Sequence, residues 1–172
     1  MESITYIHYG ADHYDPTRFL PARNGSWKPK PAERTGLWGS RINDPDGWKA
    51  WCEENNFLLD HLKCSFRFQL NRAKILTLSS PTQLIPLPKL HPWEPKAPLS
   101  FDTFSLPSED HLESWYVPNY CYLDYEKLAS QYDAIELRNH WLFQEALATW
   151  DCNCILVLKA DGLQEVNEPS GS

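Results

Sequence analysis

The sequence lacks a surplus of positive charge: its 172 residues include 16 Lys and Arg against 23 Asp and Glu, a net charge of −7. A protein that binds nucleic acid through the phosphates needs an excess of Lys and Arg, so a general nucleic-acid binder is excluded. No apolar run approaches the roughly 20 residues of a membrane-spanning helix. Residues 1–9 contain neither the basic nor the apolar region of a signal peptide. We therefore expect a cytoplasmic protein that does not associate with membranes.

The sequence also lacks the cysteine pairs of a disulfide framework or a zinc ribbon, because its five cysteines are an odd number and no CxxC occurs. We expect reduced, mostly buried thiols. His8 and His13 could be metal ligands together with Asp12 or Asp15, but no further residue completes a site at a typical spacing. The sequence therefore predicts no metal. The cysteines are Cys52, Cys64, Cys121, Cys152 and Cys154.

Several motifs of nucleotide-binding and catalytic proteins are missing as well. Without GxGxxG or GxxxxGK[ST], a Rossmann or P-loop phosphate site has no support. Without HExxH or GxSxG, a zinc protease or an α/β-hydrolase has none either.

Aromatic residues, by contrast, are plentiful. They form 13% of the chain, with 8 Trp against one Met and 7 Gly, and this content excludes intrinsic disorder. The length suits one domain, and the 42% hydrophobic content is enough for one sizeable core. We expect a single domain over 1–166 and a flexible tail over 167–172.

Strand-like runs alternate with helical patterns along the chain, which predicts an α+β fold. Residues 64–70 alternate apolar and polar side chains, and we expect this strand to form a hairpin with 74–78. The other predicted strands cover 3–9, 36–40, 132–137 and 152–159. The predicted helices cover 46–55, 123–131 with Asp124 as its cap, and 139–149 with Asn139 as its cap and Trp141 on a packing face.

A proline-rich segment interrupts this pattern. Seven prolines fall within 81–107, and proline fixes φ and removes a hydrogen-bond donor, so regular structure is not expected there. We interpret 81–118 as a loop insertion. Such a loop is often a lid or a binding loop. The alternative is an extended strap that Trp93 and Phe101 hold against the surface.

Two short segments combine glycine with a side chain suited to ligand binding. His8-Tyr9-Gly10 ends the first predicted strand and places an imidazole beside backbone that a flat ligand can approach. In Gly36-Leu37-Trp38-Gly39-Ser40, a ring between glycines can present its face to a planar heterocycle. Each has a structural alternative: a strand-end histidine, and a tryptophan that fills the core at a tight turn.

A carboxylate in an apolar strand is the third notable feature. Glu136 lies between Ile135 and Leu137, where its desolvation is costly unless a partner compensates it. Arg138 and Arg67 are candidate partners. The alternative is a functional role, because a carboxylate near a ribose can stabilise an oxocarbenium-like transition state.

Taken in order, these three places resemble the motifs of the ADP-ribosyltransferase superfamily, in the His-Tyr-Glu branch of the poly(ADP-ribose) polymerases and diphtheria toxin. Residues 8–10 stand where that branch has His-Gly, 36–40 where it has Gly-Ile-Tyr-Phe-Ala, and Glu136 where it has a late glutamate. The resemblance implies a split mixed or antiparallel sheet with short flanking helices. It implies a mono-ADP-ribosyltransferase of the toxin or effector type, which takes NAD⁺ as its substrate and transfers ADP-ribose to a protein or nucleic acid.

The resemblance also implies roles for the motif residues. His8 would bond the adenosine ribose, the backbone of Tyr9 or Gly10 would hold the nicotinamide carboxamide, and Trp38 would stack on the nicotinamide ring. Glu136 would bond the 2′-OH of the nicotinamide ribose and favour loss of nicotinamide. The second motif adds Gly36, Leu37 and Ser40, the last near the amide or the ribose. The phosphate contacts are assigned to Arg18, Arg23 or Arg41.

The sequence leaves three choices open. Asp133 and Asp151 compete with Glu136 for the carboxylate role, and Asp151 directly precedes the most apolar strand. The basic residues Lys28 and Lys30, with Arg34, indicate either a phosphate-bearing partner or a solvated loop. Besides the transferase, the resemblance leaves open an NAD⁺ glycohydrolase on the same fold. The acidic charge and the many Trp and Tyr residues leave open a non-catalytic binding or inhibitor protein, since Trp and Tyr are enriched at interface hot spots.

Overall fold

The β-branched and aromatic runs that predict strands assemble into one seven-stranded sheet. The computed structural model describes residues 2–25, 28–95 and 119–168. The strands are β1 (Tyr6–Tyr9), β2 (Leu37–Arg41), β3 (Ser65–Leu70), β4 (Ile75–Leu78), β5 (Ala134–Leu137), β6 (Cys154–Val157) and β7 (Leu163–Val166). The α-helices are α1 (Trp48–Asn55) and α2 (Tyr125–Ala129), and short 3-10 helices cover Leu59–Lys63, Pro81–Leu84 and His140–Phe143.

The strand order in the sheet is β4-β5-β6-β2-β1-β3-β7. Every neighbouring pair is antiparallel except β4 and β5, which are parallel, so the sheet is mixed. With two short helices beside it, the α+β class predicted from the sequence is confirmed. None of the helices in 2–25, 28–95 and 119–168 is long and apolar enough to cross a membrane.

The predicted hairpin of 64–70 with 74–78 is wrong. β3 pairs with β1 and β7, whereas β4 lies at the opposite edge of the sheet and pairs with β5. Two contacts anchor the two ends of the connection: the Asn71 N–H donates to the Gly162 carbonyl, and the Lys74 N–H donates to the Asp133 carboxylate. Alternation marks a strand but carries no information about its partner, and non-local partners determine the pairing here.

Both faces of the sheet are covered by apolar side chains. Phe66 and Phe68 of β3 pack on one face with Ile155 of β6. Leu156, the next residue of β6, belongs to the larger cluster on the other face with Leu128 of α2. All four residues of β6 are buried, which agrees with its position in the middle of the sheet and with its uninterrupted apolar sequence.

The two α-helices form where the sequence predicts them. The first N–H of α1, from Trp48, donates to Ser40 Oγ at 2.9 Å, so a residue of β2 caps this helix. In α2, the Asp124 carboxylate accepts a hydrogen bond from the Lys127 N–H at 3.0 Å, as expected for its N-cap.

The predicted helix over 139–149 is wrong. Only the 3-10 helix His140–Phe143 forms, and Asn139, with φ of 55°, donates its side-chain amide to the Ser79 carbonyl instead of capping. Trp141, expected to pack, is 51% exposed, and Leu142 is 50% exposed. Phe143 and Leu147 are buried in the core instead, so the face predicted to pack was wrong as well as the helix type.

The proline-rich loop falls largely outside the described residues. Its first part contains the 3-10 helix Pro81–Leu84, with reciprocal capping between Ser80 and Gln83. Trp93 donates its indole N–H to the Asn119 carbonyl at 3.1 Å. Residues 96–118, with Phe101, and 169–172 of the predicted tail lie outside the described residues.

All five cysteines are free thiols. Four are buried and Cys64 is half-buried, so the expected burial of the thiols is confirmed.

Gly36 has a structural role just before β2. Its φ is +70°, and a Cβ there would lie 2.7 Å from Leu156 Cδ1 and 3.0 Å from the Val157 carbonyl oxygen. We expect Gly36→Ala to lower the free energy of unfolding by about 2–3 kcal/mol in urea titrations, because left-handed strain adds to displacement of β6. Gly10→Ala is the control: φ is +103°, but the nearest atom is His61 Nδ1 at 3.4 Å. An unchanged free energy of unfolding in Gly36→Ala would contradict this prediction.

Candidate functional site

The two central strands of the sheet, β1 and β2, separate after a short stretch of pairing. Their only paired residues in the described ranges are Tyr6 with Arg41 and Ile7 with Ser40. Beyond Ile7, β1 continues along β3, and the first residues of β2 pair with β6 instead. The sheet therefore splits between the end of β1 and the beginning of β2.

His8 spans this split. Its Nδ1 lies 2.7 Å from the Trp38 carbonyl oxygen, and because a carbonyl only accepts, Nδ1 carries the hydrogen. Burial lowers the pKa of His8, although the bond to Trp38 opposes this effect. The imidazole is therefore neutral at pH 7, and its Nε2 can accept a hydrogen bond, for example from a hydroxyl group.

A cleft of about 220 Å³ lies at the split. Most of its wall is aromatic or apolar, with one carboxylate, one ammonium group and two imidazoles added. The lining residues are Ile7, His8, Tyr9, Lys30, Trp38, Gly39, Trp48, His61, Thr149, Trp150, Asp151, Cys152 and Cys154.

Ring contacts hold the aromatic wall in place. The edge-to-face contact of Trp38 with Trp150 has a centroid distance of 4.8 Å and an interplanar angle of 78°. Trp150 is buried and donates its indole N–H to the Pro29 carbonyl at 2.7 Å. Trp48 stacks on Trp51 at 5.2 Å. The half-buried rings of Trp38 and Trp48 are thus held by neighbours and can contact a planar ligand.

Asp151 is the only carboxylate among the described residues that line this cleft. Burial raises the pKa of Asp151, while the positive charges of Lys30 and Lys28, and that of His140 when protonated, oppose the increase. A partly desolvated carboxylate that shares a cleft with cations is a typical feature of functional sites.

Glu136 lies elsewhere. It shares a face of the sheet with Ala134 and Ile155, is 3% exposed, and does not line the cleft. Arg41 donates to both of its oxygens, at 2.6 and 3.1 Å, and the Tyr6 hydroxyl lies 3.3 Å from Oε2.

Arg41, the arginine that neutralises Glu136, is neither of the two predicted partners, Arg138 and Arg67. Arg138 lies 3.9 Å from Glu136 and forms a closer pair with Asp44 at 2.6 Å. Arg67 donates instead to Glu168 at 3.0 Å. The structure thus gives Glu136 a paired, buried position in a charge network.

Three of the residues to which the resemblance gives a ligand-binding role line the cleft: His8, Tyr9 and Trp38. Asp151 and Lys30, which the sequence left as alternatives, line it too. Their roles stay predictions. The predicted residues that do not line it are Gly10, Gly36, Leu37, Ser40, Arg41 and Glu136, together with Arg18 and Arg23.

Ser40 is occupied by the fold. Its hydroxyl donates to the Asn153 carbonyl at 3.2 Å and accepts from the Trp48 N–H. It lies with Arg41 in a second, more polar groove of about 500 Å³. The groove adjoins the cleft, because both are lined by Ile7, Tyr9 and Trp48.

Sequence reasoning missed Trp48, His61 and Trp150 as cleft residues. The signal for Trp150 was available, since Trp150-Asp151 directly precedes the most apolar strand. His61 comes from a 3-10 helix without a sequence motif, so only the tertiary structure reveals its position.

No family model matches this chain, and no curated protein or solved structure matches it either. The residues and geometry of the cleft are therefore the basis for inferring its function.

Proposed function

We propose that the cleft binds NAD⁺ and that the protein transfers ADP-ribose from it to a macromolecular acceptor, on a split sheet of the ADP-ribosyltransferase type. One observation carries the proposal. His8 and Trp38, which come from two separate motifs of the resemblance, line the same cleft as the half-buried carboxylate of Asp151.

The proposed chemistry is loss of nicotinamide from the nicotinamide ribose, followed by capture of the ribosyl cation by a nucleophile. Positive charge develops on the ribose as the glycosidic bond breaks, and a fixed carboxylate in a partly desolvated site stabilises that charge. Asp151, and not Glu136, supplies this carboxylate in the proposal, because Glu136 is buried against Arg41. Asp151 thus takes the role that the resemblance gives to Glu136, which is one of the alternatives that the sequence leaves open.

Trp38 and His8 position the substrate in this scheme. The Trp38 ring offers a stacking surface for the nicotinamide ring, and base stacking on an aromatic side chain contributes roughly 1–3 kcal/mol. His8, whose Nδ1 is bonded to the Trp38 carbonyl and whose ring centroid lies 5.1 Å from that of Phe66, fixes the end of β1 at the cleft, and we assign to it the ribose contact that the resemblance implies.

A thermal-shift experiment tests NAD⁺ binding. A ligand at about 100 times its Kd stabilises the native state by about 2.7 kcal/mol. For this chain length we expect an increase of roughly 5–10 °C in Tm. Trp38→Ala should lose most of this shift, and Trp141→Ala, which removes an exposed tryptophan outside the cleft, should retain it. Unchanged Tm and tryptophan fluorescence in saturating NAD⁺ would contradict the proposal.

The transfer step is tested with labelled NAD⁺ and a cell lysate. We expect label on a macromolecule with the wild-type protein and much less with Asp151→Asn. Free ADP-ribose without a labelled acceptor would indicate an NAD⁺ glycohydrolase on the same cleft. NAD⁺-independent action in cells would indicate a binding or inhibitor protein.

A further inference from the structure

Lys30 and Asp151 line the same cleft but do not pair with each other. The ion pairs at 4.0 Å or closer within 2–25, 28–95 and 119–168 do not include Lys30. The two groups are therefore not in direct contact, although the positive charge of Lys30 acts on Asp151 and opposes the increase in its pKa that burial causes. A ligand that carries both charges can bind to both groups at once.

The segment that carries Lys30 is rigidly held. Pro29 and Pro31 flank it, and a residue before proline is restricted to extended backbone. The buried Pro29 carbonyl accepts two hydrogen bonds, from the Tyr125 hydroxyl at 3.0 Å and from the Trp150 indole at 2.7 Å. Both donors are almost fully buried.

The same buried Trp150 precedes Asp151 and contacts Trp38. One side chain therefore connects the lysine segment, the stacking ring and the carboxylate. Such preorganisation reduces the entropy lost when a ligand orders a lysine.

We propose that Lys30 is a phosphate-binding residue of this cleft, and that it selects phosphate-bearing nicotinamide nucleotides over nicotinamide riboside, the nucleoside without a phosphate. This inference rests on the proposed function for the identity of the nucleotide. The phosphate binds to the Lys30 ammonium group, which donates up to three hydrogen bonds, and the ribose that gains positive charge faces Asp151. The separation of the two charges thereby sets the direction in which the nucleotide lies.

The test compares three probes on wild type and Lys30→Ala by titration of tryptophan fluorescence: NAD⁺, nicotinamide riboside and inorganic pyrophosphate. We expect Lys30→Ala to weaken the binding of NAD⁺ and of pyrophosphate about 10–100-fold, which is the contribution of a hydrogen bond to a charged group. Nicotinamide riboside, which has no phosphate, should bind wild type and variant equally. Lys30→Arg should recover most of the affinity.

Lys63→Ala is the matched control, because Lys63 is 77% exposed, pairs with Asp60 and lines neither depression. The inference is overturned if Lys30→Ala loses affinity for NAD⁺ and for nicotinamide riboside equally, or if it loses affinity for neither. Pyrophosphate binding that requires Lys30, without any NAD⁺ binding, would refute the proposed function and retain the phosphate site. If the wild-type protein binds neither NAD⁺ nor pyrophosphate, both the phosphate site and the proposed function are refuted.

Discussion

Asp151→Asn is expected to reduce the rate of nicotinamide release from NAD⁺ about 10²–10³-fold, the typical effect of removing one group that stabilises developing charge. The amide keeps the size of the side chain but removes its negative charge. Steady-state release of nicotinamide, measured by chromatography, gives kcat and KM separately. The loss should appear mainly in kcat, because the ribose carries its full positive charge only near the transition state.

The same substitution should slightly stabilise the folded protein. Burial raises the pKa of Asp151, so its ionised form is less stable in the fold than in the unfolded chain. This destabilisation is present above the raised pKa and disappears as the pH falls below the unfolded pKa. At pH 7 we expect Asp151→Asn to raise Tm by about 1–3 °C.

Unchanged kcat in a folded variant would exclude Asp151 as the catalytic carboxylate.

Glu136→Gln is expected to act on stability. Removing one partner from a buried ion pair costs about 3–5 kcal/mol, since the other charge is left without its compensation. Arg41 is 35% exposed and can recover some hydration, so we expect a decrease of about 2–4 kcal/mol in the free energy of unfolding. Urea titration measures it, and Glu54→Gln, at an exposed position of α1, is the matched control.

A double variant separates the ion pair from other effects of the substitution. Glu136→Gln with Arg41→Met removes both charges, so it should recover part of the loss caused by Glu136→Gln alone. The folded fraction of Glu136→Gln should release nicotinamide at close to the wild-type rate. Normal stability with loss of NAD⁺ cleavage would instead return the catalytic role to Glu136.

Local patterns predicted most of the strands but not their partners. Residues 64–70 form a strand because their alternation matches the two faces of a sheet, yet β4 crosses to the far edge. The apolar spacing of 139–149 resembled an α-helix, but the segment folds as a 3-10 helix and turns that bury Phe143. The face predicted to pack was also wrong, because Trp141 is exposed and Phe143 is buried.

The candidate site was predictable in part. His8 and Trp38 were identifiable because glycine accompanies each of them in a short motif. The choice between Glu136 and Asp151 was not, since both carboxylates stand close to apolar strands. Glu136 lies within β5 on the face of the sheet that the Arg41 side chain of β2 reaches, and the two residues form an ion pair. Asp151 lies just before β6, at the split between β1 and β2.

By itself, the sequence determined the α+β class, the positions of the two α-helices with the Asp124 cap, the burial of the thiols and the two motifs that meet at the cleft. These features depend on neighbouring residues, through side-chain period, capping and composition. Only the tertiary structure decided which strands pair, where the sheet splits and which carboxylate shares the cleft with Trp38. Those features depend on contacts between residues far apart in the chain, and a shift of one residue in a strand moves its side chains to the opposite face.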